Sequence, residues 1–181
     1  MKLFICCSAI NNIDKKYFDD SEKLFNIILK DNDLVFGAWD EGIMKLSYDI
    51  AKKYNRKVIG ITPKFYKDVF SRIECDKEVV TDTMLESTLK IIENSDAVIW
   101  LPGGIGTTYE LFTALQSKRI HDHNLPIIIY NSFGYYDKLL DYIEHTYKEK
   151  FSEESIRDLY YVANTIDDVV NYLKKISIKE H

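Results

Sequence analysis

Three glycines, two threonines and a glutamate fall within eight residues, Gly103-Gly104-Ile105-Gly106-Thr107-Thr108-Tyr109-Glu110. The apolar run Ala97-Val98-Ile99-Trp100-Leu101 precedes them and reads as a buried strand. Leu111 to Gln116 continues as a helical pattern. Glycine lets a backbone turn sharply and come close to a ligand. The first N–H groups of a helix lack internal partners and carry partial positive charge. An anion, above all a phosphate, suits that position. The amides of Gly104, Ile105, Gly106 and Thr107, with the Thr107 hydroxyl, are the candidate phosphate cradle, and Gly103 shapes the turn. Glu110 is the candidate catalytic carboxylate. The competing structural reading makes Thr107 and Glu110 a capping box that closes the helix.

The elements that must position this turn alternate along the chain. Residues 3–7, 33–37, 57–62, 97–101 and 126–130 read as strands, with short extra strands expected at 79–80 and 159–162. Helices are expected at 16–30, 41–54, 83–94, 136–147, 152–158 and 166–175, with a fraying tail at 176–181. Residues 63–80 are the least regular stretch. The alternation predicts an α/β fold, a Rossmann-like, doubly wound and mainly parallel sheet with helices on both faces. Ligands bind such sheets at the carboxyl ends of the strands, where Ser8, Gly37, Thr62 and the Gly103–Gly106 turn would gather.

Composition bounds the rest. The chain has 181 residues, suited to a single domain over 1–181, and 46% are hydrophobic. A net charge of −5 with no long basic run does not favour a nucleic-acid partner. No apolar stretch reaches the ~20 residues of a membrane helix, and the apolar opening is too short for a signal peptide. Three cysteines, Cys6, Cys7 and Cys75, lack metal-ligand spacing and read as reduced cytoplasmic thiols. Cys6 and Cys7, adjacent on a strand, should point to opposite faces. His121 and His123 have no supporting ligand set, so no metal is expected. No lysine sits in a context that argues for pyridoxal phosphate, and no cofactor is expected.

Two separate blocks resemble the LOG ("lonely guy") family. Pro102-Gly103-Gly104-Ile105-Gly106-Thr107-Thr108-Tyr109-Glu110 matches its Pro-Gly-Gly-x-Gly-Thr-x-x-Glu signature. Asn131-Ser132-Phe133-Gly134-Tyr135-Tyr136-Asp137-Lys138-Leu139-Leu140 is similar to its Asn-x-x-Gly-Tyr-Tyr-Asp-x-Leu-Leu. Phe4-Ile5-Cys6-Cys7-Ser8 resembles the opening Val-Phe-Cys-Gly-Ser, with Cys7 in place of glycine. The resemblance implies hydrolysis of a nucleoside 5′-monophosphate at its N-glycosidic bond, giving free base and ribose 5-phosphate, and a homodimer with the site near the shared face. It also implies a ligand contact from Gln116.

The departures are specific. The family's glycine-rich turn after the second strand is here Gly37-Ala38-Trp39-Asp40-Glu41-Gly42-Ile43-Met44. Trp39 is either a stacking surface for a base or a packing residue with Asp40 as a helix cap. The Arg-Lys pair of active members is replaced by Ser87 and Thr88, which donate hydrogen bonds but carry no charge. Lys90 lies on the same helical face as Ser87 and either substitutes in part or is a surface lysine. Glu86 is a second carboxylate, read first as a surface group. The alternative to hydrolysis is therefore a LOG-like protein that binds nucleotide as a sensor or sequestering module. A purely structural oligomer is the third reading.

Overall fold

The computed structural model describes residues 1–178. Seven strands form one all-parallel sheet: β1 (Lys2–Cys6), β2 (Asp33–Phe36), β3 (Val58–Pro63), β4 (Lys77–Thr81), β5 (Ala97–Trp100), β6 (Ile127–Tyr130) and β7 (Tyr161–Ala163). Their order across the sheet is β4-β3-β2-β1-β5-β6-β7. The order reverses between β1 and β5, which opens a crevice at their carboxyl ends. The central strands are apolar on both faces because helices cover both.

The pleat of β1 divides the core. Leu3, Ile5 and Cys7 pack with Leu24 and Phe25 of α1 (Lys15–Ile28), Ile43 and Ile50 of α2 (Gly42–Lys53), and Val169 of α6 (Ile166–Ile178). Phe4 and Cys6 face the other side, with Ile91 of α3 (Met84–Glu93) and Leu111 and Ala114 of α4 (Ile105–Arg119). Leu139 and Leu140 of α5 (Asp137–Lys148) pack against that same cluster. Cys6 and Cys7 thus do lie on opposite faces, and Cys6 meets α4.

The alternation read from sequence holds, and the differences are local. Residues 63–80 resolve into a 3-10 segment (Lys64–Ser71) and the full edge strand β4. The segment expected as a helix at 152–158 is a 3-10 turn, Glu154–Asp158. α6 continues through Ile178 where fraying was expected from residue 176; residues 179–181 lie outside the described residues.

Candidate functional site

The turn after β5 is held from behind. Tyr135 Oη donates to the Gly103 carbonyl at 2.6 Å, and Tyr136 Oη donates to the Leu101 carbonyl at 2.7 Å. Asn131 locks the tyrosine pair: its Oδ1 accepts from Tyr136 N at 2.7 Å and its Nδ2 donates to Asp137 at 2.7 Å. The two sequence blocks are therefore one device, the second bracing the first. Gly103 is obligatory for space, since a Cβ there would lie 2.2 Å from Thr107 Oγ1. A Cβ on Gly104 or Gly106 would meet nothing within 4 Å, so these two open onto free space.

Helix α4 begins at Ile105 with Gly104 as its N-cap and no side-chain cap. Thr107 and Glu110 lie inside the helix, so the capping-box reading of this pair is corrected. Thr107 Oγ1 donates instead to the Cys7 carbonyl at 3.4 Å. The first intrahelical bond runs from Thr108 N to Gly104 O, leaving the amides of Ile105, Gly106 and Thr107 ahead of it. The same Thr-x-x-Glu spacing is a working cap at Thr83 and Glu86. There Thr83 Oγ1 accepts from Glu86 N at 3.1 Å, and Glu86 Oε2 accepts from Asp82 N at 2.8 Å. Glu86 is thereby spent on α3.

These amides border a cavity of about 450 Å³ at the crevice. Ser8, Gly37, Thr62, Gly104, Ile105 and Gly106 line it, as the strand-end argument expected, and so do Ser87, Thr107 and Glu110. Its walls also include Cys7, Trp39, Glu41, Met44, Tyr66 and Met84. Gly42 packs α2 onto the backbone of residues 8–10: its φ is +64°, and a Cβ would lie 2.6 Å from the Ala9 carbonyl carbon. Met44 N donates to Ser8 O at 3.1 Å, tying α2 to the end of β1.

Three predicted residues do not line this cavity. Gly103, within the turn, borders a separate surface hollow with Tyr109, Phe112 and Tyr135. Thr88 is fully buried and donates to Met84 O at 3.0 Å. Gln116 lines a different cavity, near Phe151 and Ile156, and accepts from Arg119 Nε at 3.1 Å. Lys90 is an exposed partner of Glu93 at 2.7 Å and does not replace the missing arginine. Among the described residues lining the crevice cavity, none is lysine, arginine or histidine. Asp40 does not cap α2, whose N-cap is Glu41; it pairs with Arg72. Both ring nitrogens of His123 are engaged, with Ala114 O at 3.0 Å and Leu125 N at 3.2 Å.

Glu110 is the chemically distinctive group. Its Oε2 accepts from the Cys6 thiol at 2.7 Å. Burial raises its pKa from the ordinary 4.5 to about 7, and the thiol hydrogen bond partly opposes the shift. Burial, and then the neighbouring Glu110 charge, push the Cys6 thiol well up, so it stays a neutral donor. With no cationic side chain beside it among the described residues, Glu110 is poised near neutrality as a proton acceptor or donor. Composition alone gave no hint of the Cys6 contact; the strand alternation that turns Cys6 toward α4 was the available clue.

A glycine turn at the switch point of a parallel sheet, with a carboxyl inside the crevice, defines a Rossmann-like α/β protein of the LOG type. Residues 44–173 match the family described as possible lysine decarboxylase, and the chain belongs to this family, the LOG family. It is similar to cytokinin riboside 5′-monophosphate phosphoribohydrolase LOG4 of Arabidopsis thaliana. The two are 28% identical over 179 residues, 97% of this chain and 83% of that protein. The fold is shared with the X-ray structure of TM1055, at a TM-score of 0.68 and 16% identity, covering 96% of this chain and 98% of that one. It is shared too with the molybdenum cofactor carrier protein of Chlamydomonas reinhardtii, at a TM-score of 0.67 and 16% identity, covering 98% of both chains.

Proposed function

We propose that the chain is a nucleoside 5′-monophosphate phosphoribohydrolase. The observation that carries this reading is one cavity bordered by the leading amides of α4 and by the Glu110 carboxyl. The 5′-phosphate binds the amides of Gly104 to Thr107, where the macrodipole and N–H groups favour an anion. That anchor orients the sugar, and its binding energy is available to the reacting centre. The C1′–N bond breaks toward an oxocarbenium-like transition state, by analogy with O-glycoside hydrolysis. The Glu110 carboxylate stabilises the positive charge and takes a proton from the water whose oxygen bonds to C1′. The base leaves with the electron pair of the broken bond and is protonated from solvent.

The test is release of free base from AMP and other monophosphates. Wild-type protein should release base and ribose 5-phosphate in equal amounts, and Glu110→Gln should lower the rate by about 10²–10⁴-fold. Equal rates for the two proteins would overturn the assignment of Glu110.

A second reading, nucleotide binding without hydrolysis, is favoured by the lack of any lysine, arginine or histidine among the described residues that line the cavity. Ser87 faces the cavity where active members carry arginine, so Ser87→Arg alone is the informative change. Lysine at the fully buried Thr88 would place an unpaired charge in the core. A gain in turnover with Ser87→Arg supports the lost guanidinium as the reason for weak hydrolysis. Tight AMP binding with no base release by either protein supports the binding module.

A further inference from the structure

We propose that Trp39 and Tyr66 form the wall on which the base of the bound nucleotide stacks, and that this pair sets the chain's preference for purines. The inference rests on the reading of the cavity as a nucleotide site and deepens it. Trp39 falls in the turn after β2 that the family resemblance makes glycine-rich, so this chain carries an indole in that turn. The indole is half-buried and lines the cavity. It meets the Tyr66 ring edge-to-face at 5.2 Å, and Tyr66 meets Phe65 at 4.6 Å. Tyr66 remains 45% exposed and Phe65 57%, an aromatic corner left open at the rim instead of folded into the core.

The corner is braced. Asp40, next to Trp39, accepts from both Nε and a terminal nitrogen of Arg72, the latter at 3.2 Å. Arg72 caps the 3-10 segment that carries Tyr66. This bidentate pair fastens the loop after β2 to the segment after β3, and so holds the two rings together.

Strand order supplies the register. β5, β1, β2 and β3 are consecutive neighbours, spaced about 4.8 Å apart. The candidate phosphate cradle follows β5. Glu110 reaches the end of β1 through Cys6. Trp39 follows β2 and Tyr66 follows β3. Along the strand ends the order is anion cradle, carboxyl, aromatic corner, the order of phosphate, sugar and base in a nucleotide. The aromatic corner lies about 10–14 Å from the cradle, counted as two to three strand spacings. Every base has a π-face, so stacking accepts any base, and a purine covers more of the ring than a pyrimidine.

Trp39 and Trp100 are the two tryptophans, and Trp100 is fully buried in the core. Trp100 lies next to Cys6, the partner of Glu110, so the part of the emission change that is lost in Trp39→Ala is the part that reports Trp39. The experiment titrates wild type, Trp39→Ala, Trp39→Phe and Tyr66→Ala with AMP, UMP and ribose 5-phosphate, by tryptophan fluorescence for wild type and Trp39→Ala and calorimetry for all. Wild type should bind AMP more tightly than UMP, with the Trp39 part of the emission changed by both and unchanged by ribose 5-phosphate. Trp39→Ala should weaken AMP by about tenfold to a hundredfold, leave ribose 5-phosphate within about twofold, and be largely rescued by Trp39→Phe. AMP binding undiminished in Trp39→Ala would overturn the stacking wall while leaving the nucleotide site standing. A wild type that binds neither AMP nor ribose 5-phosphate would overturn both.

Discussion

The burial that lifts Glu110 to about 7 has two measurable consequences of opposite sense. If the carboxylate is the active form, base release should rise as pH increases through about 7, since that form gains population there. Stability should move the other way. The folded chain holds the Glu110 proton to about pH 7, whereas an unfolded glutamate loses it near 4.5. The contribution is full below 4.5 and is lost as pH rises through 7, amounting to about 3 kcal/mol. Glutamine never bears that charge. Urea melts should therefore find Glu110→Gln more stable than wild type at pH 8, with the difference closing at pH 4. Parallel curves at both pH values would contradict the buried, perturbed carboxyl.

At the scale of elements, α2 and α4 do their work through their first turns. Gly42 has φ +64° and packs on the backbone of residues 8–10. Gly42→Ala should destabilise by about 1–3 kcal/mol, read as a lower midpoint with unchanged slope in urea. Leu111, buried beside Glu110, should cost about 2–5 kcal/mol as alanine. The glycine turn and its carboxylate were legible because both are local: a strand, glycines, then a helix. The phase of a helix was not. Ser87 and Thr88 are neighbours in sequence, but one helical step of about 100° puts Ser87 in the cavity and Thr88 in the core. Nor does spacing alone tell a cap from a site, as the two Thr-x-x-Glu runs show. The N-cap of α4 is Gly104, three residues before Thr107, so Thr107 falls inside the helix and cannot cap it. Tyr66 and Cys6 reached the site through pairing of distant strands, which no short window contains.

At the scale of the molecule, the parallel order was readable from the alternation of elements, and with it the location of the crevice. The outward side of α4 was not. That helix carries apolar side chains on two sides: Leu111, Ala114 and Leu115 face the core, while Ile105 is 91% exposed and Tyr109 and Phe112 are 40% exposed. A helix of this kind calls for a partner on its second face. We propose that a second copy of the chain covers it, in keeping with the homodimer the family resemblance implies. Phe112→Asp should shift the chain from dimer to monomer in light scattering, with the urea midpoint of the monomer little changed. A wild type that is monomeric at all concentrations would remove this proposal. Among the described residues, no helix is long and apolar enough to cross a membrane.

The central claim is that the main-chain amides opening α4 grip a 5′-phosphate and so bring the sugar to Glu110. Calorimetric titration of Glu110→Gln with AMP and with adenosine isolates that grip from turnover. AMP should bind about tenfold more tightly or better, because charge-assisted bonds to the phosphate are absent for adenosine. Equal affinity for the two ligands would contradict the account.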